Sequence, residues 1–271
     1  MIKLLALDLD GTLLNDEKKI SVANKNALKK AQELGIKVVI TTGRPLVAIQ
    51  PFVEMLELRG PKEYAITFNG GLVQQIKTGK ILAKTVLDVK KIPQVAEVFS
   101  QMNLPLSVVS EEKVFEFKTS SHESIYKSLN PRLIYQNTTP EKLPEDRIYN
   151  KMVSAVSATI LDQQLPRLPE SLKSQFEIMK SRDCLLEILP KGVEKGRALA
   201  ILGEQLNIQL SEMMSFGDEE NDLSMIKACG IGVVMENGNP EVKKQADFIT
   251  KSNQEDGVAF AIEKFILKGE N

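Results

Sequence analysis

Two aspartates separated by one residue are the first side chains along the chain that could do chemistry. Asp8 and Asp10 stand in the segment Asp8-Leu9-Asp10-Gly11-Thr12-Leu13, directly after an apolar run. Ligands in open α/β sheets collect at the carboxyl ends of strands, so both carboxylates stand where a site would form. One can act as a nucleophile and the other as general acid and base, while a cation would offset their repulsion. The competing interpretation is an Asp-Gly turn capped by Asp8.

A second segment, Thr41-Thr42-Gly43-Arg44-Pro45, follows another apolar run. The Thr42 hydroxyl and the backbone at Gly43 can cradle phosphate oxygens near a helix that begins at Pro45. Arg44 can clamp a phosphate or form a structural ion pair. An ordinary strand-to-helix turn would explain the same residues.

A lysine and an acidic segment complete the candidate set. Lys195, at the start of a helical pattern, can direct a compact positive charge at a phosphoryl group, although Lys191 competes and either lysine could simply be solvated. The segment Gly217-Asp218-Glu219-Glu220-Asn221-Asp222 offers oxygen ligands that suit Mg²⁺, or it merely complements a helix dipole. Phosphoryl transfer needs a nucleophile, charge neutralisation and a proton donor, and the four segments together supply them.

Strands and helices alternate in β-α-β order at both ends of the chain, and these elements must position the candidate residues. Strands are predicted at 2–7, 36–40, 64–68, 213–216 and 231–235, with helical patterns between them. This pattern predicts an α/β core, a Rossmann-like doubly wound parallel sheet formed by 1–84 and 190–271. Residues 85–189 have proline-rich loops and candidate strands at 106–109, 114–117, 152–156 and 185–189, which indicates an inserted α+β domain.

Composition excludes several classes of partner. The 35 Lys and Arg against 36 Asp and Glu leave a net charge of -1, so no global field favours nucleic acid or an anionic membrane. The sequence contains neither a signal-peptide pattern nor an apolar run long enough to span a membrane. We therefore expect a soluble cytoplasmic protein, monomeric or homodimeric. Its two cysteines, Cys184 and Cys229, are expected to be buried structural thiols.

The order of these motifs resembles the haloacid dehalogenase superfamily. The closing run 250–258 and the Asn69-Gly70 pair resemble its Cof-type branch, and the whole chain is most similar to bacterial sugar phosphatases of that branch. The resemblance implies a phosphatase with a C2B-type cap at 85–189 and Mg²⁺ as cofactor. It also implies small phosphorylated metabolites, especially sugar phosphates, as substrates.

The resemblance assigns roles by position. Asp8 would be the nucleophile and Asp10 the acid/base, and both would ligate the metal together with Asp218, Asp10 through its carbonyl. The remaining roles are phosphate or substrate binding by Thr42, Gly43, Lys195 and Asn221, and support by Thr12, Arg44, Asn69 and Asp222. In the cap, His122 or Glu187 could contact substrate, although a surface or structural role is the simpler reading of His122.

Two other functions remain open from the sequence. A phosphomutase uses similar chemistry but returns the phosphoryl group to a bound substrate. A phospho-acceptor regulatory module also pairs an acidic pocket with Mg²⁺, but an insertion of about 100 residues has no use in a receiver.

Overall fold

The architecture is taken from a computed structural model that describes residues 1–267. In chain order its strands are β1 (Leu4–Leu7), β2 (Lys37–Thr41), β3 (Tyr64–Thr67), β4 (Leu72–Gln75), β5 (Ile81–Lys84), β6 (Leu106–Ser110), β7 (Lys113–Phe117), β8 (Ile134–Thr138), β9 (Lys151–Ala155), β10 (Phe176–Arg182), β11 (Leu185–Pro190), β12 (Met213–Gly217), β13 (Ile231–Val234) and β14 (Phe248–Ile249).

The α-helices are interleaved with these strands. They are α1 (Val22–Glu33), α2 (Leu46–Met55), α3 (Ile92–Gln101), α4 (Tyr126–Leu129), α5 (Ala158–Gln164), α6 (Glu170–Gln175), α7 (Lys195–Leu206), α8 (Leu223–Ala228), α9 (Pro240–Lys243) and α10 (Gly257–Ile262). A π-helical turn at Glu263–Leu267 follows α10. Short 3₁₀ turns at Phe68–Gly70 and Glu220–Asp222 lie beside the candidate site residues.

The chain divides into two units. The larger unit comprises Met1–Lys84 and the described residues from Glu194 onward, and the smaller unit is Thr85–Val193. From the sequence, the return to the larger unit was expected at 190, before the turn that follows β11. In the structure, residues 191–193 of that turn belong to the smaller unit, and the larger unit resumes at Glu194.

The larger unit is built on one sheet with the order β14-β13-β12-β1-β2-β3-β4-β5. Pairing is parallel from β14 to β3, as the β-α-β pattern predicts, and antiparallel for β4 and β5 at one edge. Alternate residues of β1 point to opposite faces. Leu5 and Leu7 pack in a core with α1, α2 and α10, whereas Leu4 and Ala6 pack with α7 and α8. Strand β1 is thereby fixed at the centre of the sheet.

The smaller unit is a separate α+β body with a sheet ordered β10-β11-β9-β6-β7-β8. One face of this sheet packs against α3, α5 and α6 through a core of its own. The pairing is antiparallel except for β7 with β8. No helix among residues 1–267 is both long and apolar enough to cross a membrane. Of the two free thiols, Cys229 is buried as expected, but Cys184 is only partly buried.

Candidate active site

The predicted residues of the larger unit meet at one edge of its sheet, beyond the carboxyl ends of the strands. Asp8 directly follows β1, Thr42 follows β2, and Asp218 follows β12. The parallel neighbours β1, β2 and β12 bring these positions together from three distant parts of the sequence. This is the location at which open α/β sheets bind ligands.

Lys195 is the centre of a buried ion-pair network. Its side chain is fully buried, and its Nζ lies 2.6 Å from Asp8 Oδ1 and 2.6 Å from Asp222 Oδ1. Burial alone would lower the pKa of Lys195, but the negative charges of Asp222 and Asp8 outweigh it and raise the pKa, so the amine is charged. Lys191, the competing lysine, is half-exposed in the smaller unit and pairs with Glu177. The structure thus selects Lys195.

Asp222 orients its neighbours. Its Oδ1 accepts from Lys195, and its Oδ2 accepts from the backbone N–H groups of Asp218 (2.9 Å) and Glu219 (3.1 Å). Both carboxylate oxygens are therefore engaged by protein donors. Asp222 lies within the same 4.8 Å cluster as Asp8 and Asp218, and its hydrogen bonds go to Lys195 and to the Asp218 and Glu219 backbone.

Asp8 and Asp218 form the electronegative part of the site. Burial, followed by the like charges around it, raises the pKa of Asp8 to about 7 despite Lys195. Burial and the charges of Asp8 and Asp222 raise the pKa of Asp218 to about 8. Thr12 donates its hydroxyl to Asp218 Oδ1 at 2.7 Å, which fixes one oxygen of that carboxylate. The pair has an excess of negative charge that a cation would neutralise.

The backbone of Gly11 makes room for Asp218. Gly11 has φ +81°, and a Cβ at this position would lie 2.2 Å from Asp218 Oδ2. A side chain there would be strained and would displace the carboxylate. The turn after Asp10 therefore leaves room for the Asp218 carboxylate to approach Asp8.

These residues fit a magnesium ion. Mg²⁺ prefers hard oxygen ligands and usually takes only one or two carboxylates from the protein. The carboxylates of Asp8 and Asp218 lie close together, and burial followed by the like charges of neighbouring aspartates raises the pKa of both. The donor set is therefore of the kind that this cation takes.

The Asp10 carboxylate is held by two cations. Arg44 donates through Nε to Oδ2 at 2.8 Å and through Nη2 to Oδ1 at 2.6 Å, and Lys18 Nζ lies 2.9 Å from Oδ1. Burial would raise the pKa of Asp10, but the hydrogen bonds and charges of Arg44 and then Lys18 hold it below its usual range. Arg44 is thus an ion-pair partner of the second aspartate, and Asp10 is in the form of a base.

Thr42, Asn69 and Asn221, which follow β2, β3 and β12, are connected by hydrogen bonds. The Asn221 amide donates to Asn69 Oδ1 at 3.1 Å, and the Asn69 N–H donates to the Thr42 carbonyl at 3.0 Å. A Cβ at Gly43 would lie 2.9 Å from Asn69 Oδ1, so a larger residue would push Asn69 aside. Phe68 and Asn69 both have positive φ, 53° and 58°. Consecutive left-handed residues without glycine are strained, and such strain clusters at functional sites.

The two candidate residues of the smaller unit differ in burial. His122 is exposed, and its N–H donates to the Ser120 hydroxyl. Glu187 is buried in an ion pair with Lys151 on the adjacent strand β9. A buried pair of this kind is compatible with a structural role.

Several residues that contact this site were not predicted. Lys18 pairs with Asp10, and the Asn237 amide donates to the Gly11 carbonyl at 2.8 Å. The Asn253 amide donates to the Leu14 carbonyl at 3.0 Å. A usable signal existed for the two asparagines, because the loops after β13 and β14 end at the same edge of the sheet as Asp8.

Known proteins resemble this chain over nearly its full length. The family model described as haloacid dehalogenase-like hydrolase matches residues 5–262. A Streptococcus pyogenes protein that bears the provisional name of a phosphatase, M6_Spy0533, is 36% identical over 98% of this chain and 99% of its own. The Bacillus subtilis 5-amino-6-(5-phospho-D-ribitylamino)uracil phosphatase YcsE is 31% identical over 98% and 96%. The structure of BT4131, titled as a subclass IIB sugar phosphatase of the superfamily, matches with a TM-score of 0.78 and 25% identity over 97% and 98%.

Proposed function

The chain belongs to the haloacid dehalogenase-like hydrolases and is a phosphatase, and we propose that it hydrolyses small phosphate monoesters through an aspartyl-phosphate on Asp8. The observation that carries this proposal is the setting of Asp8. Its carboxylate stands at the end of the central strand, 2.6 Å from the buried Lys195 ammonium and beside Asp218. A nucleophile, a fixed positive charge and a cation-binding carboxylate are thus gathered at one point.

In the first step the Asp8 carboxylate attacks phosphorus, and the bond from phosphorus to the ester oxygen breaks. Asp10 donates a proton to the departing oxygen. In the second step Asp10 accepts a proton from water, the water oxygen attacks phosphorus, and the Asp8 carboxylate leaves as phosphate is released. Dividing the displacement in this way replaces one difficult step by two easier ones.

The ion pairs of Asp10 determine its protonation state in each of the two steps. Arg44 and Lys18 stabilise the carboxylate form, which suits the second step. For Asp10 to carry a proton in the first step, those cations must turn toward another anion. The phosphoryl group of a bound substrate is such an anion, so we expect substrate binding to loosen the contact between Arg44 and Asp10.

The phosphoryl oxygens would be held by Thr42, the backbone at Gly43, Asn221 and Lys195. We propose Mg²⁺ as the cofactor, held by the side chains of Asp8 and Asp218 and by the Asp10 carbonyl. When bound, the ion neutralises charge that develops on the transferring group. The close approach of the two carboxylates supports this assignment, and the pKa of each is raised first by burial and then by the like charges nearby, an environment that a cation would stabilise.

We propose phosphorylated sugars and related polyols as the substrate class and residues 85–193 as the cap. BT4131 is titled a sugar phosphatase, and the substrate named for YcsE carries its phosphate on a ribityl chain. Both are phosphate esters of polyhydroxylated carbon chains. A cytoplasmic location and a monomeric or homodimeric state remain predictions.

Phosphate release from a panel of phosphorylated sugars and polyols, measured with and without Mg²⁺, tests the proposal. We expect activity that depends on Mg²⁺ and is lost by at least 10³-fold in Asp8→Asn, because the amide is not a nucleophile. Asp146→Asn, an exposed aspartate of the smaller unit, is the matched control. Turnover by Asp8→Asn at the wild-type rate would exclude Asp8 as the nucleophile. Isomerised sugar phosphate without phosphate release would instead identify a mutase.

A further inference from the structure

We infer that Asn253 and Asn237 are positioning residues for Asp10, an inference that rests on the phosphatase chemistry proposed above. Both lie far along the chain from the loop they contact. Asn237 belongs to the loop between β13 and α9, and Asn253 to the loop between β14 and α10. Their side-chain amides donate to the loop 8–16, so we expect their effect on the reaction to pass through that loop.

Three N–H groups of the loop 8–16 donate to carbonyls of the same loop. Leu14 N–H donates to the Leu9 carbonyl at 2.8 Å, and those of Thr12 and Leu13 make longer bonds of 3.3 Å to the carbonyls of Leu9 and Asp8. The carbonyls of Gly11 and Leu14 instead accept hydrogen bonds from side-chain amides outside the loop. The two carbonyls lie at the two ends of segment 11–14, which directly follows Asp10.

The two asparagines act as one connected unit. The buried Asn253 donates its side-chain amide to the Leu14 carbonyl at 3.0 Å and, at 3.4 Å, to Asp16 Oδ1. Its backbone N–H donates to Asn237 Oδ1 at 2.8 Å, which orients the Asn237 amide toward the Gly11 carbonyl at 2.8 Å. The loop is therefore tied at two points by a single relay of hydrogen bonds.

This relay sets the position of Asp10 because Asp10 is the residue immediately before Gly11. The Asp10 carboxylate is held by the side chains of Arg44 and Lys18, whereas the direction of its backbone depends on the Gly11 peptide. A proton donor must lie within hydrogen-bond reach of the leaving oxygen, and a displacement of about 1 Å can cost about 100-fold in rate. Loss of the relay should therefore damage proton donation specifically.

The test compares kcat/KM for two esters in the Mg²⁺-loaded full-length protein. The leaving group of p-nitrophenyl phosphate departs readily without a proton, while that of phenyl phosphate gains much more from one. We expect Asn253→Ala to lower kcat/KM for phenyl phosphate by roughly 10–100-fold, and that for p-nitrophenyl phosphate by no more than about threefold. Asn237→Ala should show the same selectivity, and since Asn237 is exposed it serves if Asn253→Ala does not fold.

Gln254→Ala, which changes an exposed neighbour of Asn253, is the control and should match the wild type on both esters. Equal losses on the two esters would overturn the inference, because a general structural defect does not depend on the leaving group. Unchanged kinetics in both asparagine variants would overturn it as well. Absence of phosphate release by the wild type from both esters and from the panel of phosphorylated sugars and polyols would refute the proposed function and this inference with it.

Discussion

Replacement of Lys195 by methionine should be the most disruptive single change at the site, because it keeps the volume of the side chain and removes its charge. The wild-type ammonium is fully buried between Asp8 and Asp222 at 2.6 Å from each. Removing one partner of a buried ion pair typically costs about 3–5 kcal/mol, since the remaining charge stays desolvated. Here two carboxylates lose their partner at once.

The expected loss of stability corresponds to a decrease in the midpoint temperature of unfolding. A loss of 3–5 kcal/mol lowers the unfolding midpoint of a domain of this size by roughly 6–20 °C, at about 2–4 °C per kcal/mol. Lys195 is charged in both states at neutral pH, and its raised pKa means that its stabilisation is present until the pH exceeds about 10. The loss in Lys195→Met should therefore be evident at pH 7.

The assay is thermal unfolding of the metal-free protein followed by circular dichroism, together with phosphate release in the presence of Mg²⁺. We expect turnover to fall by about 10²–10³-fold, as for removal of one fixed donor at a transition state. Lys191→Met is the matched control, since Lys191 is half-exposed and its pair with Glu177 should contribute only about 0–1 kcal/mol. Equal midpoints for Lys195→Met and Lys191→Met would refute the reasoning from burial and charge.

Two further predictions concern the acidic pair. Because the pKa values of Asp8 and Asp218 are raised to about 7 and about 8, above about 3.9 in the unfolded chain, metal-free protein should lose stability as the pH rises from about 4 to 8. Mg²⁺ at ten times its Kd should restore about 1.4 kcal/mol at pH 8 in a thermal-shift titration, and an unchanged midpoint would count against a metal at this site. Gly11→Ala should weaken Mg²⁺ binding measured by calorimetry, since its Cβ would collide with Asp218, whereas Gly79→Ala, with φ +69° but open space around it, should bind Mg²⁺ normally.

Residues that directly follow a buried strand were predictable. Asp8, Thr42 and Asp218 each follow an apolar run, and parallel pairing of β12, β1 and β2 brings such positions together whatever the loops do. The choice between Lys195 and Lys191 was not predictable, because both stand near the start of the same helix. Only the packing of α7 against the sheet buries one and leaves the other exposed.

Other features had weak or no local signal. Strands β4, β5, β8 and β10 were missed because they carry mixed polar sequences, and β5, β8 and β10 lie at sheet edges, where hydrophobic alternation is weakest. The strand predicted at 2–7 begins at Leu4, and the one predicted at 64–68 ends at Thr67, where the backbone enters the left-handed turn. The contacts of Asn237 and Asn253 span 226 and 239 residues, so only their positions after β13 and β14, and no local pattern, could have indicated them.

The position of β1 between β2 and β12 has a consequence for synthesis of the protein. During synthesis Asp8 leaves the ribosome well before Lys195, which follows it by 187 residues. At ordinary rates of translation the nascent chain waits roughly 10–40 s for that lysine and longer for β12. During this interval β1 has only β2 on one side, and its other edge is open to wrong partners. A chaperone that shields the first β-α-β segment should therefore raise the yield of active enzyme more than one that acts on the finished chain.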